Sequence, residues 1–198
     1  ALDDSEQYAV AVSCVKDDTY AQEIGRAFES LSSTTLHFVK SSATFAGVRN
    51  AYDEPQRLGV DRWLALLAIK ARGENSAVII DVGTACTIDV LENGQHLGGY
   101  IFPGMALARD ALVANTDKIR FYENPEPSTS LGTDTASCVL SGIWLTLLAS
   151  CQSVIDRFPN ATVYLTGGSA VELVALGLDA QRVDGLVFDG LDFWLNGA

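Results

Sequence analysis

The sequence predicts an α/β protein, and three stretches carry that expectation. Near the start, a Val-rich run at Tyr8–Val15 (YAVAVSCV) precedes a helical pattern, and a second short apolar run follows at Leu36–Val39. In the middle, Val78 to Gly104 reads as strands folded about a tight turn. Toward the end, an apolar run at Ala161–Leu165 meets Thr166-Gly167-Gly168-Ser169 and then a helix to about Leu176. Strands alternating with helices predict a parallel or mixed sheet.

The first β-α-β unit places Ile24, Ala27, Phe28 and Leu31 on one face of a helix that Thr19 can cap. Ser41–Leu58 follows as an irregular polar stretch holding Gly47, Arg49, Asn50, Tyr52 and Pro55, and a loop of that length is often functional. Gly59-Val60-Asp61-Arg62-Trp63 opens a helix to about Ala71. Asp61 in its first turn suits the helix dipole, Arg62 beside it has the pattern of a solvated charge, and Trp63, Leu64 and Leu67 read as core. Asp61 could also act as a base, although on pattern alone the dipole contact is the commoner role.

After a polar break at Gly73–Ser76, the run Ala77–Ile80 ends on Asp81, and Gly83-Thr84 forms a bend. A second run, Ala85–Leu91, leads to Asn93-Gly94, a strong type I′ hairpin signal, and the chain returns through Ile101 to Pro103-Gly104. A glycine at the bend lets backbone N–H groups approach a phosphate; Thr84 adds a hydroxyl and Asp81 a hard oxygen for a cation. Met105–Val113 reads as a helix, Thr116–Gly132 as a polar loop, and Thr133 or Asp134 caps a long helix to about Phe158. Small residues on that helix suit either a dimer seam or a core contact. The Gly167-Gly168 turn before a helix admits a base or phosphate, although many such turns are only structural. A short apolar helix from Leu186 to Leu195 closes the chain.

The 198 residues suffice for one large or two small domains, and the 48% apolar content supports a substantial core. A net charge of −12 argues against nucleic-acid phosphates and anionic membrane surfaces as partners. Cys14, Cys86, Cys138 and Cys151 are widely spaced in apolar runs, which predicts buried free thiols in a reducing cytoplasm. No segment reads as a membrane span or a signal peptide.

Three elements in order resemble the type III pantothenate kinases, a family that includes Bvg accessory factor homologues. They are GVDRW at Gly59–Trp63, DVGTACTID with HLGGYIFPG over Asp81–Gly104, and LTGG at Leu165–Gly168. AGVRNAYDEPQRLG (Ala46–Gly59) and LGTDTASCVLSG (Leu131–Gly142) extend the resemblance over nearly the whole chain. It implies two ribonuclease-H-like, actin-like domains around a central cleft, with the boundary placing residues 1–74 in the first and 75–198 in the second. It implies ATP-dependent phosphorylation of pantothenate at its terminal hydroxyl, the first step towards coenzyme A, in a cytoplasmic homodimer whose sites draw on both subunits.

On this resemblance Asp61 matches the catalytic base. Gly59, Val60 and Arg62 match the pantothenate-contacting segment, Tyr52 a substrate-contacting aromatic, and Thr135 a threonine reaching a site across the dimer. Gly83 and Thr84, with Gly167 and Gly168, match ATP contacts, and Asp81 matches a monovalent-cation position (potassium or ammonium). Magnesium would accompany the nucleotide phosphates. The neighbouring positive charge of Arg62 suits an ionised base; Arg62 could equally pair with the substrate carboxylate. The family also opens on an Asp-x-Gly-Asn-Thr/Ser phosphate loop, which these residues do not contain. Ala1–Val15 matches a later strand, so the first domain is expected to be incomplete at its N-terminus. A non-catalytic actin-like protein that binds pantothenate or a nucleotide is the alternative.

Overall fold

The computed structural model of the chain describes residues 8–15, 18–28, 34–116 and 126–197. The chain divides into two units, one of Ala1–Glu74, Gly94–His96 and Leu186–Ala198, the other of Asn75–Asn93 and Leu97–Gly185.

In the first unit, β1 (Tyr8–Val12), α1 (Asp18–Phe28) and β2 (Thr34–Phe38) form the expected β-α-β unit, with β1 and β2 parallel from Tyr8↔Thr34 to Val12↔Phe38. The helix already includes Thr19 rather than being capped by it, and the predicted end at Leu31 lies outside the described residues. The stretch read as irregular carries short β3 (Thr44–Phe45) and β4 (Val48–Arg49), paired antiparallel, and a 3-10 turn at Pro55–Arg57. Arg49 pairs in parallel with Gln95.

Helix α2 (Val60–Ala71) is buried from Trp63 through Ile69, on every face rather than one stripe. Such a helix needs a close neighbour, and the closing helix Leu186–Asn196 supplies it. Gly190 permits the approach, since a Cβ there would overlap the Leu64 carbonyl. The ion pair Arg72–Asp189 spans the same two helices. Phe45 meets Phe193 edge-on at 6.2 Å and stacks on Trp194 at 6.5 Å. Gly190→Ala is therefore expected to cost about 2 kcal/mol by overpacking, read as a lowered Tm; an unchanged Tm would contradict this packing.

The second unit is built on a sheet of order β7-β6-β5-β8-β9, from β5 (Ala77–Val82), β6 (Ala85–Glu92), β7 (Gln95–Pro103), β8 (Thr162–Thr166) and β9 (Gln181–Arg182). β5 is antiparallel to β6 and parallel to β8, and β8 is parallel to β9. Asn93 and Gly94 at the hairpin have φ of 53° and 77°, as a type I′ turn demands. Three meander strands followed by two parallel strands on the far side of the first is the ribonuclease-H-like order.

Helices α3 (Met105–Ala114), α4 (Thr135–Ile155) and α5 (Ala170–Ala175) complete the unit. Asp134 caps α4 in a capping box with Ser137. The hydrogen bonds from Ser137 hold the Asp134 carboxyl below its ordinary value of 3.8, so the cap is fully present above that pH and is lost as pH falls through the lowered value. Contrary to the sequence expectation, α4 is long and apolar enough to cross a membrane. Its Leu140, Ile143, Trp144, Leu147, Cys151 and Val154 are buried, and the last five join Ile80, Ile88 and Leu165 in the core.

Cys86 and Cys151 are buried as expected, and Cys86 is pushed well above the usual thiol range by its contact with Cys151 and by burial. Cys14 is half-buried, and Cys138 is exposed, because it lies on the outer face of the first turns of α4.

Candidate active site

The predicted residues fall into two groups, one in each unit. In the first unit, Gly59 stands at the N-cap of α2 and Asp61 lies in its first turn. The Asp61 carboxylate folds back over the helix start: its Oδ1 accepts from the Arg62 amide at 2.8 Å. That fold-back explains Gly59, where a Cβ would come within 2.6 Å of the same oxygen. Val60 is buried and anchors the turn.

Arg62 corrects the sequence reading, because its side chain is buried at 6% exposure rather than solvated. Its Nη1 donates to the Tyr52 hydroxyl at 3.0 Å, and the guanidinium carbon lies 5.9 Å from the Tyr52 ring centre. A buried guanidinium requires such acceptors. Tyr52 is fixed in turn by its loop, its amide donating to Asn50 Oδ1 at 3.0 Å. The structure thus brings Tyr52, Gly59, Val60, Asp61 and Arg62 together at the start of α2, with Asp61 bonded to the Arg62 amide and the Arg62 side chain to Tyr52.

The second group sits at the carboxyl ends of β5 and β8, where open α/β sheets bind ligands. Asp81 pairs with Thr166 across these strands. Gly167, at φ 97°, packs where a Cβ would lie 2.5 Å from Asp81 Oδ1 and 2.6 Å from the Val82 nitrogen. Gly83 and Thr84 are exposed at the bend, held by Gly104, whose amide donates to the Thr84 carbonyl at 2.9 Å. Gly168 is exposed, with open space where a Cβ would stand.

Beside these turns opens a cavity of about 530 Å³ lined by Met105, Arg109, Trp144, Ser169 and Glu172. Glu172 Oε2 is buried there without a hydrogen-bond partner. Sequence reasoning passed over Glu172, since a first-turn glutamate has the pattern of a dipole-matched surface charge. Thr135 is exposed at the first position of α4, and no hydrogen bond among the described residues ties it to either group.

Among the described residues no cluster of three or more His, Cys, Asp or Glu could cage a metal. Asp81 stands as a single half-buried carboxylate near the end of β5.

Residues 2–157 match the family described as Type III pantothenate kinase. The chain belongs to that family. A type III pantothenate kinase of Marinobacter nauticus is 34% identical over 92% of this chain and 77% of its own length. One of Acinetobacter baumannii is 37% identical over 82% of this chain and 66% of its own length. One of Ectopseudomonas mendocina is 39% identical over 89% and 75% respectively. The chain therefore spans two thirds to about three quarters of these relatives. A solved Campylobacter jejuni structure described as a Baf family transcriptional activator shares the fold, with a TM-score of 0.60 at 19% identity over 97% of this chain and 84% of that one. Type III pantothenate kinase membership does not favour the non-catalytic alternative.

Proposed function

We propose that the protein phosphorylates pantothenate with ATP, giving 4′-phosphopantothenate, and that Asp61 is the general base. The observation that carries this reading is the start of α2, where the Asp61 carboxylate is fixed by the Arg62 amide and the buried Arg62 guanidinium by the Tyr52 hydroxyl. Phosphoryl transfer asks the protein mainly to position two substrates and to balance charge. Arg62, oriented by Tyr52, pairs with the pantothenate carboxylate through its planar fork. Gly59 and Val60 line the same segment. Asp61 then accepts a hydrogen bond from the terminal hydroxyl and takes its proton as the oxygen attacks the γ-phosphorus of ATP, whose bond to the bridging oxygen breaks to release ADP.

The nucleotide belongs to the second group. Backbone N–H groups at Thr84, and at Gly167 and Gly168, suit phosphate oxygens, and Gly83, whose own amide donates to the Ala85 carbonyl at 2.9 Å, shapes the bend. Asp81 would suit a monovalent cation beside them, potassium or ammonium, and a magnesium ion arriving with the nucleotide would supply charge neutralisation there. The nucleoside end fits the cavity that Glu172 helps to line, where its carboxylate can accept from a ribose hydroxyl or a base amino group. Glu172→Ala is expected to raise the KM for ATP about tenfold, the lower end of the worth of one hydrogen bond to a charged group, and to leave the KM for pantothenate unchanged. An unchanged ATP KM would remove Glu172 from the nucleotide site.

The homodimer is also part of this reading, with Thr135 contributing across it. Leu107, Leu112 and Leu145 are large apolar residues left exposed on α3 and α4, beside a groove of about 440 Å³ lined by Phe102, Val139 and Ile143. A second copy would cover them. Light scattering at micromolar concentration is expected to give a dimer mass; a monomer would contradict the shared site. The kinase reading is tested by a coupled ADP-release assay in which pantothenate must stimulate turnover; ADP release indifferent to pantothenate would refute it.

A further inference from the structure

Tyr52 and Arg62 enter the proposed chemistry, but the buried ring beside them does not. His96 is the second residue of β7, inside the HLGGYIFPG stretch, and it is completely buried. Its Nδ1 accepts the Ala51 amide proton at 3.4 Å, which makes Nδ1 the unprotonated nitrogen. Its ring lies nearly parallel to that of Tyr52, 11° from coplanar with centroids 6.4 Å apart. The imidazole therefore holds two consecutive loop residues, Ala51 by its backbone and Tyr52 by its ring.

We propose that His96 is a positioning residue for substrate recognition: it locks the Tyr52 ring, and the Tyr52 hydroxyl in turn orients the buried Arg62 guanidinium. The proposal rests on the reading of Arg62 as the partner of the pantothenate carboxylate. A guanidinium is specific only when its plane is fixed. The Tyr52 hydroxyl accepts from Nη1 at 3.0 Å and so sets one edge of that plane. Tyrosine has two soft side-chain torsions, and the loop bond from its amide to Asn50 restrains only its backbone. The parallel imidazole restrains the ring. A phenylalanine at position 96 could stack in the same way but would leave the Ala51 amide without its acceptor, shifting the loop that carries Tyr52.

The test compares His96→Phe, Tyr52→Phe and the double variant in steady-state assays of the full-length protein. Each single variant is expected to raise the KM for pantothenate about tenfold, the loss of one charge-assisted hydrogen bond, with kcat and the KM for ATP unchanged. The double variant is expected to match either single one, because both changes break the same relay. Additive effects, or an equal rise in the KM for ATP, would overturn the proposal. A second readout needs no activity. In nitrogen-detected NMR the wild-type His96 should be protonated at Nε2 and not at Nδ1, and His96→Gln should speed rotation of the Arg62 guanidinium. A protonated Nδ1, or unchanged guanidinium rotation, overturns the proposal. A wild-type protein without pantothenate-dependent turnover refutes the kinase reading instead, and the NMR readout then decides the role of His96 by itself.

Discussion

Asp61→Asn is expected to leave pantothenate binding intact and to lower kcat by a factor of about 10³ or more, within the range lost when a general base is removed. The substitution is nearly isosteric. The amide oxygen can still accept from the Arg62 amide as Asp61 Oδ1 does at 2.8 Å, so the start of α2 keeps its shape. What the amide cannot do is take a proton from the attacking hydroxyl. Loss of turnover with an unchanged pantothenate dissociation constant in calorimetry is the expected pair of results. Retained turnover in a coupled ADP-release assay would remove Asp61 from the base role. A carboxamide that lost binding as well would assign Asp61 to substrate recognition.

Gly104→Ala is expected to cost about 3 kcal/mol of stability, at the upper end of ordinary overpacking, and to weaken ATP binding together with it. An added methyl would overlap the Gly83 carbonyl oxygen and lie 2.8 Å from the Thr84 carbonyl oxygen. Neither atom belongs to a flexible side chain. Relief requires moving the bend itself, which breaks the 2.9 Å bond from the Gly104 amide to Thr84. The bend then presents its N–H groups at the wrong angle to phosphate. Thermal unfolding would give the stability change, and nucleotide titration the binding change. A stable variant with unaltered ATP affinity would show that Gly83 and Thr84 do not hold the triphosphate.

Where local chemistry decides structure, the fold was legible in the sequence. The Asn93-Gly94 turn needed positive φ at both positions and has it. Gly59 before Val-Asp-Arg-Trp marked the start of α2, and Asp134 marked the start of α4. The bend at Gly83-Thr84 and the turn at Gly167-Gly168 follow strands that the apolar runs had indicated. β3, β4 and β9 escaped, because two residues are too few to carry a period.

The site was legible as a set of residues but less so as an environment. Beside Asp61, Arg62 had the pattern of a solvated charge, yet partners remote in sequence bury it, with Tyr52 ten residues away accepting its hydrogen bond. His96 sits among strand residues whose alternation says nothing about a loop 45 residues upstream. Glu172 reads as a first-turn acid until the cavity around it is seen. In each case the missing term was long-range packing, which a local pattern does not contain.

The central claim is that a carboxylate at the start of α2 serves transfer of a phosphoryl group from ATP to a small alcohol. Mass spectrometry of the reaction mixture tests it most directly. With ATP, magnesium and pantothenate, the full-length protein should yield pantothenate heavier by one phosphoryl group, and Asp61→Asn should form it about a thousandfold more slowly. A wild-type protein that binds both substrates and leaves pantothenate unmodified would contradict the claim.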